Sequence, residues 1–372
     1  MELLGKTKAE LQAFCRWLGE SPYRGGQIYH ALYAERRLDL DSMTNLPTDL
    51  RAKLAREARI TLPLVRKRYR SDDGSVRYLL GLSTPEDQPR MKAAAVEAVF
   101  MPSEARQTIC ISTQAGCAVD CQFCLTAQLG LIRNLTAGEI VAQVLLPLIE
   151  MSRAGDEAGD GDQSGRNGVA ARINVVLMGQ GEPLLNFEEV FAALRILLDK
   201  GGVGLSPKHV TLSTSGVIPG IERMAKEEVR PKLAISLNAS NDEQRDALMP
   251  INKKYPMKDL MAVCRRYPLR NWEHLTFEYV MLGGVNDAPE DARRVVKLLA
   301  PHKRVKVNLI PWNPGELPFK ETSAERLEEF QRILTNRGVP AFVRYSRGRD
   351  VMAACGQLAL KEVGSSQFTV LS

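Results

Sequence analysis

Short apolar runs alternate with longer amphipathic stretches between about residue 93 and residue 345. Six of these runs have the length and β-branched content of strands, at residues 108–113, 173–178, 209–214, 232–237, 275–282 and 305–310. Apolar strands separated by helical lengths are typical of parallel βα units, in which helices cover both faces of the sheet. The pattern therefore predicts an α/β fold with six βα units.

Three helical stretches carry a start signal, a capping oxygen three residues before a Glu. The pairs are Thr136 with Glu139, Asp287 with Glu290, and Thr322 with Glu325. Each pair is expected to satisfy free N–H groups in the first turn, so we predict helices that begin at these three positions.

The first 92 residues read as a small, mostly helical unit. A turn signal at residues 71–75 lies between two alternating stretches, which predicts a β-hairpin. This segment contains 17 Lys and Arg against 12 Asp and Glu, and so supplies most of the net charge of +6. A basic surplus in one segment favours a polyanionic partner.

Four basic residues of this segment, Arg66, Lys67, Arg68 and Arg70, admit two interpretations. They form either the solvated face of a strand or a contact for the phosphates of a nucleic acid. Phosphate contacts would give affinity without sequence choice. Charge alone leaves both interpretations open.

The length of 372 residues is enough for one large domain and one small one. There is no apolar run of about 18 residues and no signal-peptide pattern at the N-terminus, so we expect a cytoplasmic protein that does not enter a membrane. Residues 154–165 are rich in Gly and acidic residues, and we expect a mobile surface insertion there. Their spacing lacks the order of a calcium-binding EF-hand.

Cys117, Cys121 and Cys124 form a CxxxCxxC run. Seven Cys with three clustered do not form an extracellular disulfide framework. A structural zinc site normally has four Cys or His ligands, and a four-iron cluster normally takes four Cys. Ordinary core thiols and structural zinc are the alternatives, but no His lies at a finger-like spacing and the residues between the Cys are partly polar. Three thiolates without a fourth favour a cluster with one open iron.

A second motif, Met178-Gly-Gln-Gly-Glu-Pro, follows a strongly apolar strand. Parallel βα folds place their sites at the carboxyl ends of strands. A Gly such as Gly181 lets a ligand approach the backbone, and a carboxylate such as Glu182 suits an ammonium group. Small polar residues also end later strands, at Ser213 and Ser236. Taken alone, these later residues would be ordinary punctuation between strand and loop.

The Cys spacing, with Phe123 before the last Cys, resembles the radical S-adenosylmethionine (SAM) enzymes. The resemblance implies a partial (β/α)6 barrel and a 4Fe-4S cluster on Cys117, Cys121 and Cys124. SAM would chelate the open iron, and its reductive cleavage would yield methionine and a 5'-deoxyadenosyl radical. The implied SAM contacts are Gly181 and Glu182 at the amino group and the polar ring of Ser213, Ser236, Leu237, Asn238 and Asn313.

Two further cysteines, Cys110 and Cys355, lie outside the cluster motif. In isolation each is more typical of a core thiol. Gly356 follows Cys355, and Arg347 and Arg349 precede it, which favours a flexible, exposed thiol in a positive setting.

Over nearly its whole length the chain resembles the RlmN-type ribosomal RNA adenine-C2 methyltransferases. The matched stretches include residues 96–102, 110–134, 177–186, 210–216, 241–255, 277–287, 307–314 and 347–358. The resemblance implies that Cys355 accepts a methyl group from one SAM, and that a second SAM yields the radical that activates this methyl group. Cys110 would then resolve the protein–RNA adduct through a transient disulfide with Cys355, and Glu97 would be the proton acceptor.

The same resemblance implies 23S rRNA and tRNA as partners, an electron donor such as flavodoxin, and a monomer. It divides the chain into an RNA-contacting domain at residues 1–92, the barrel at 93–345 and a C-terminal segment at 346–372 that carries Cys355. Gln180 and Asn238 stand where many members have Met and His. Both are expected to keep contacts near SAM.

Two other functions are considered. The Cfr-type enzymes methylate C8 of the same rRNA adenine and share Cys110, the cluster and Cys355. The stretch Glu182-Pro-Leu-Leu-Asn186 resembles the C2 enzymes, whereas the C8 enzymes tend to have Ala after the Glu. A non-catalytic iron-sulfur protein that binds RNA through its basic first domain is the alternative from another class.

Overall fold

The computed structural model describes residues 1–82, 94–103, 106–157 and 173–360. Most of the acidic segment 154–165, the expected boundary at residue 92 and the chain after residue 360 lie outside these ranges. The helices are α1 Lys8–Trp17, α2 Pro22–Tyr33, α3 Thr48–Glu57, α4 Leu125–Gln128, α5 Ala137–Glu157, α6 Phe187–Leu198, α7 Ile218–Met224, α8 Asp242–Leu248, α9 Met257–Arg266, α10 Pro289–Leu299 and α11 Ala324–Asn336. Among the described helices, none combines the length and the apolar character needed to cross a membrane.

The strands are β1 Leu64–Arg70, β2 Val76–Leu82, β3 Ala94–Met101, β4 Gln107–Cys110, β5 Gln114–Gly116, β6 Leu131–Asn134, β7 Ile173–Leu177, β8 Val210–Thr214, β9 Lys232–Ser236, β10 Leu275–Met281, β11 Val305–Pro311 and β12 Ala341–Val343. Short 3-10 helices lie at Pro183–Leu185, Pro207–His209 and Pro250–Lys253.

The main sheet has the strand order β1-β2-β3-β4-β7-β8-β9-β10-β11-β12. From β4 onward each neighbouring pair is parallel. All six predicted strands lie in this parallel run, which confirms the α/β fold. The structure adds β12 as a seventh parallel strand. Its three residues, of which only Ala341 is buried, are too few to produce a recognisable pattern.

The N-terminal helices pack on the barrel, and the predicted hairpin is present. A Cβ at Gly5 would collide with the backbone of Gly138 at the start of α5, and a Cβ at Gly138 would collide with the carbonyl oxygen of Leu4. β1 and β2 pair antiparallel around the turn at 71–75. β2 also pairs with β3, so the hairpin extends the large sheet beside the helical unit α1–α3.

One of the three predicted capping boxes forms as expected. The N–H of Glu139 donates to the Thr136 hydroxyl at 3.2 Å, and the N–H of Thr136 donates to the Glu139 carboxylate at 2.9 Å. The other two predictions are wrong by one residue, because α10 is capped at Ala288 and α11 at Ser323. The residues expected to cap them bond to each other instead, with Thr322 Oγ1 donating to Asp287 Oδ2 at 2.6 Å.

The CxxxCxxC run lies in the loop between β5 and β6, which form a small antiparallel sheet of their own. Gly116 begins this loop with φ of 74°, a left-handed conformation that favours glycine. A Cβ at Gly116 would collide with the carbonyl oxygen of Gly130 on the returning side. The hairpin therefore closes tightly behind the three cysteines.

Candidate active site

The carboxyl ends of β7 to β11 surround one cavity, which we call the upper cavity, together with the β5–β6 loop and part of the C-terminal segment. This is the edge at which parallel sheets place their ligands. The predicted residues that line it are Cys117, Cys121, Cys124, Gly181, Glu182, Ser213, Ser236, Asn238, Asn313 and Cys355. The fold thus brings together the three clustered cysteines, most of the expected SAM contacts and Cys355.

The three clustered thiols fit an iron-sulfur cluster better than a single ion. All three line the upper cavity, yet within the described residues no three His, Cys, Asp or Glu side chains are grouped to hold one metal ion. Burial is the main cause that raises the pKa of each thiol, to about 12 for Cys117, and the other two cysteines raise that of Cys121 further. Positively charged irons, each bound to a separate thiolate, would offset the cost of burying these charges.

Glu182 is held by protein donors. Its carboxylate accepts from Thr214 Oγ1 at 2.7 Å, from the N–H and the hydroxyl of Ser215 at 2.7 Å each, and from the N–H of Leu184 at 3.0 Å. Burial raises its pKa, and these donors oppose the rise. Since a carboxylate has about four acceptor sites, an ammonium group must share or replace one of these donors. Thr214 and Ser215, which the sequence pattern did not single out, belong to this site.

Gly181 locks the loop after β7 to the cluster hairpin. Its φ is 99°, and a Cβ would lie 2.7 Å from the backbone nitrogen of Gln114 in β5. The N–H of Glu182 donates to Gln114 Oε1 at 2.8 Å. The expected SAM loop and the cysteine loop are therefore one rigid unit.

Leu237 and Asn238, two of the expected SAM contacts, have side chains that are already engaged within the protein. The side chain of Leu237 is fully buried in the hydrophobic core, so only its backbone faces the loop after β9. Asn238 has φ of 54° and lines the upper cavity. Its amide accepts from the N–H of Val280 at 2.9 Å and contacts the sulfur of Met249 at 3.4 Å. Asn is one of the residues that adopt this left-handed conformation most readily.

Glu278 is a buried acid that the sequence pattern did not reveal as part of the site. It lies within the apolar strand β10 and accepts from Ser213 Oγ at 2.8 Å. Ser213 Oγ also lies 3.3 Å from Ser236 Oγ. Burial raises the pKa of Glu278, and the hydrogen bond from Ser213 opposes the rise. In the sequence, the signal that could have revealed this site residue is the presence of a charged residue inside an apolar run.

The C-terminal segment is tied to the barrel on both sides of Cys355. Asn313 Nδ2 donates to the Cys355 carbonyl oxygen at 3.1 Å and to Ser346 Oγ at 2.9 Å. The N–H of Leu125, next to the cluster cysteines, donates to the Gly356 carbonyl at 2.8 Å. Asn313 thus has a second role besides the expected contact with SAM, because it positions the loop that carries Cys355.

Cys355 lines the upper cavity and a second one, the lower cavity, which Cys110 also lines. The Cys355 side chain is exposed to these cavities, but they lie deep in the protein, and burial raises the pKa of its thiol to about 12. Burial also raises the pKa of Cys110, and the charge of Cys355 adds to that rise. Both thiols are therefore protonated at neutral pH.

The expected positive setting of Cys355 is wrong. Arg347 bonds to the Asp73 and Pro102 carbonyls, and Arg349 pairs with Glu321 at 3.1 Å. A positive setting would lower the pKa of Cys355. The negative charge of Glu278, which also lines both cavities, raises that pKa.

Glu97 is not among the described residues that line either cavity. It is fully buried in β3, where its carboxylate forms an ion pair with Arg77. The same carboxylate accepts from the N–H of Leu360, five positions after Cys355, at 3.1 Å. Burial raises its pKa, and Arg77 opposes that rise. Glu97 therefore contacts the C-terminal segment but not the cavity in which Cys355 lies.

The basic run on β1 is partly engaged with the protein itself. Arg68 donates to the Glu150 carboxylate at 3.1 and 2.7 Å, and Lys67 lies 5.0 Å from the centre of the Tyr69 ring. Contact of this run with RNA stays a prediction.

A cluster loop and a ligand cavity at the carboxyl ends of parallel strands define an enzyme of the radical SAM class. Residues 164–299 match the family profile described as Radical SAM superfamily. Residues 1–60 match the profile of the ribosomal RNA large subunit methyltransferase N-terminal domain.

Similar proteins extend these matches over most of the chain. A probable dual-specificity RNA methyltransferase RlmN from Koribacter versatilis is 48% identical over 363 residues, 93% of this chain and 98% of the relative. The RlmN of Anaeromyxobacter dehalogenans is 43% identical over 96% of this chain and 91% of its own length. A crystal structure of a radical SAM methyltransferase from Sphaerobacter thermophilus superposes with a TM-score of 0.85, at 41% identity, over 97% of this chain and 100% of that one. The chain belongs to the RlmN family of dual-specificity RNA methyltransferases.

Proposed function

We propose that the protein methylates C2 of an adenine in 23S rRNA and in tRNA, and that Cys355 carries the transferred carbon. The observation that supports this most is the position of Cys355 between the cavity of the clustered cysteines and the cavity of Cys110. The relatives that carry the name dual-specificity RNA methyltransferase support RNA as the substrate.

C2 of adenine is a poor nucleophile, so ordinary methyl transfer to it is slow. The 4Fe-4S cluster and SAM supply, when bound, the 5'-deoxyadenosyl radical that opens a radical route. Cys117, Cys121 and Cys124 would hold the cluster, and Glu182, Ser213, Ser236 and Asn313 would orient SAM beside it. We expect two SAM molecules to be used in each turnover, one as methyl donor and one as radical source.

Cys355 performs the first step as a nucleophile. Its Sγ forms a bond to the methyl carbon of SAM as the sulfonium–carbon bond breaks, S-adenosylhomocysteine leaves, and the thiol proton is lost. The S-methyl group would give one hydrogen atom to the 5'-deoxyadenosyl radical, which leaves as 5'-deoxyadenosine, and the remaining carbon radical adds to C2. This adduct would return one electron to the oxidised cluster and lose the C2 proton to the proton acceptor.

Cys110 releases the product. Its thiol must first lose a proton; the thiolate then attacks Sγ of Cys355, the S–S bond forms, and the bond between that sulfur and the transferred carbon breaks. The electron pair goes to the carbon, which takes a proton and becomes the methyl group. The disulfide then needs two electrons before the next turnover, so a reductant is required in addition to the donor for the cluster.

Glu97 is proposed as the proton acceptor, following the family resemblance. Its carboxylate already accepts from Leu360 and pairs with Arg77. For Glu97 to reach a proton in the lower cavity, the C-terminal segment must shift from this contact. Movement of that segment during turnover is therefore part of the proposal.

The remaining partners follow from the chemistry. An electron donor such as flavodoxin would reduce the cluster, and the substrates place the protein in the cytoplasm. We expect a monomer, because a single chain supplies the clustered cysteines, Cys110 and Cys355 to the two cavities.

Anaerobic reconstitution with iron and sulfide, then incubation with SAM, a reductant and an rRNA fragment, tests the proposal. Mass spectrometry of the digested RNA should detect 2-methyladenosine. Formation of 8-methyladenosine alone would favour the Cfr-type reaction. A Cys355→Ala variant should bind RNA but form neither product; unchanged cellular function of that variant would favour a non-catalytic RNA-binding protein.

A further inference from the structure

The two cavities are stacked along the direction of the parallel strands. Residues of a strand that face the same side recur at every second position. In β10, Thr276 lines only the lower cavity, Glu278 lines both, and Val280 lines only the upper one. The lower cavity therefore lies toward the amino ends of the strands, and the upper cavity toward their carboxyl ends.

Cys355 lies where the two cavities meet. Besides Cys355 and Glu278, Met178 and Ile310 line both of them, whereas Cys110 lines the lower one only. A molecule in the lower cavity and a molecule in the upper one can therefore approach the same sulfur from opposite ends. The methyl donor and the methyl acceptor need such an arrangement around Cys355.

Basic side chains surround the lower cavity at the amino ends of the strands. They are Arg106, Lys208, His209, Lys232 and Lys306, and Arg344 and Arg347 line the same cavity from the segment after β12. Within the described residues, Arg106, Lys208, Lys232 and Lys306 form no ion pair with a carboxylate. Four such basic side chains, which outnumber Glu278, the single acid among the described residues that line this cavity, favour an anionic ligand there.

The mutual repulsion of these cations is visible at two of them. Burial lowers the pKa of Lys232, and the charge of Lys306 lowers it further. Burial likewise lowers the pKa of Lys306, and Arg344 adds to this effect. Glu273 acts in the opposite direction on Lys232 and Glu278 on Lys306, and a bound anion would add to that effect and relieve the repulsion.

We propose that the target nucleotide reaches Cys355 through the lower cavity, with RNA phosphates held by the basic side chains at its mouth. This inference rests on the proposed function and adds the direction from which RNA binds. Tyr345 at this mouth is 69% exposed and offers a ring on which a neighbouring base can stack. Deeper in the cavity, the oxygens of Glu278 and Asn308 can accept from the exocyclic amine of the adenine.

The test compares two pairs of exposed Lys and Arg at opposite ends of the barrel. Arg106 and Lys208 lie at the mouth of the lower cavity. Lys253 and Lys254 lie after β9, next to Met249 of the upper cavity. All four are exposed, so substitution by Gln leaves the core intact and removes two charges in either variant. Each pair also contains one Lys above an aromatic ring. The Nζ atom lies 5.5 Å from the ring centre for Lys208 over Trp272 and for Lys254 over Tyr255.

Binding of an adenine-containing rRNA hairpin is measured against salt concentration for the SAM-free protein. The Arg106→Gln/Lys208→Gln variant should bind about tenfold or more weakly, and its slope of log K against log salt should fall by about 2. The Lys253→Gln/Lys254→Gln variant should keep the wild-type slope. The reverse result, or equal slopes in all three proteins, would overturn the proposal.

Photo-crosslinking of wild-type protein to a hairpin with 4-thiouridine beside the target adenine gives a second reading. Crosslinked peptides should contain Arg106, Lys208 or Tyr345, and crosslinks only to Lys253 or Lys254 would contradict the proposed direction. The product assay keeps the two proposals apart. If wild-type protein forms 2-methyladenosine while the slopes are equal, only the direction of RNA binding is wrong; if the slopes differ as expected without any methylated product, the proposed function fails and the RNA site stands.

Discussion

The side-chain amide of Asn313 donates a hydrogen bond to the carbonyl oxygen of Cys355 at 3.1 Å. The bond joins the loop after β11, at the rim of the upper cavity, to the segment that carries Cys355. One residue therefore couples the expected SAM site to the position of Cys355. The family resemblance assigned only the first of these roles to Asn313.

Asn313→Ala should lower the rate of methyl transfer to Cys355 about 10- to 100-fold, because it loosens the loop that presents the sulfur. If the rate stays low at saturating SAM, weaker binding of SAM does not explain the loss. The rate of Cys355 methylation is measured by peptide mass spectrometry at increasing SAM concentrations. Ser346→Ala, which removes only the second partner of the Asn313 amide, is the milder control. Full recovery of the Asn313→Ala rate at high SAM would contradict the positioning role.

The thiol of Cys355 should react faster as the pH rises. Burial raises its pKa to about 12, so the thiolate fraction grows about tenfold per pH unit between pH 7 and 9. Alkylation by iodoacetamide without SAM, followed at the Cys355 peptide, measures this dependence. A rate that levels off below pH 8 would show that the thiol has an ordinary or lowered pKa.

Glu278 contributes to this high pKa through its negative charge. Glu278→Gln should therefore increase the alkylation rate of Cys355 at pH 8, by up to about tenfold for a pKa decrease of one unit. Glu321→Gln, which removes an exposed acid paired with Arg349, is the control and should leave the rate unchanged. An unchanged rate in Glu278→Gln would mean that this carboxyl group is neutral near Cys355.

Gly116 and Gly130 form a matched pair in the cluster hairpin. Both have positive φ, 74° and 61°, but a Cβ at Gly116 would collide with the Gly130 carbonyl, whereas a Cβ at Gly130 meets no atom within 4 Å. Gly130→Ala should cost about 1 to 2 kcal/mol of unfolding free energy. Gly116→Ala should cost more and also reduce the iron content after reconstitution. Equal stability and equal iron content in both variants would argue against the tight closure of this loop.

The buried pair of Arg77 and Glu97 should respond asymmetrically to substitution. Arg77→Met leaves the Glu97 carboxylate buried without its cation and should cost about 3 to 5 kcal/mol of unfolding free energy. The double variant Arg77→Met/Glu97→Leu should recover most of that loss, as measured by urea unfolding. If the double variant is no more stable than Arg77→Met, the cost arises from packing around Arg77 and not from the unpaired charge.

The site was predictable from the sequence where its residues are close together along the chain. The CxxxCxxC loop and Gly181-Glu182 each lie in one short segment after a strand. The bonds that Glu182 accepts from Thr214 and Ser215 cross about 30 residues, and the bond from Asn313 to Cys355 crosses 42. The pairing of β7 with β8 brings Glu182 to Thr214 and Ser215, and the return of the C-terminal segment to the barrel brings Cys355 to Asn313. The same holds for Glu278, whose acid is hidden in an apolar strand until the strand order places it beside Ser213.

The wrong predictions have equally local causes. Arg347 and Arg349 are close to Cys355 along the sequence, which is the basis of the predicted positive setting. The turn at Gly348, with φ of 65°, directs Arg347 to Asp73 and Arg349 to Glu321. Helix caps at Asp287 and Thr322 failed by one residue because these two side chains bond to each other.

The transfer of carbon through Cys355 is tested most directly with SAM that carries a trideuterated methyl group. The labelled methyl group should appear on the Cys355 peptide before RNA is added. After RNA is added it should appear in 2-methyladenosine with one of its deuterium atoms replaced by solvent hydrogen. Labelled 2-methyladenosine formed by Cys355→Ala, or product that keeps all three deuterium atoms, would contradict the account.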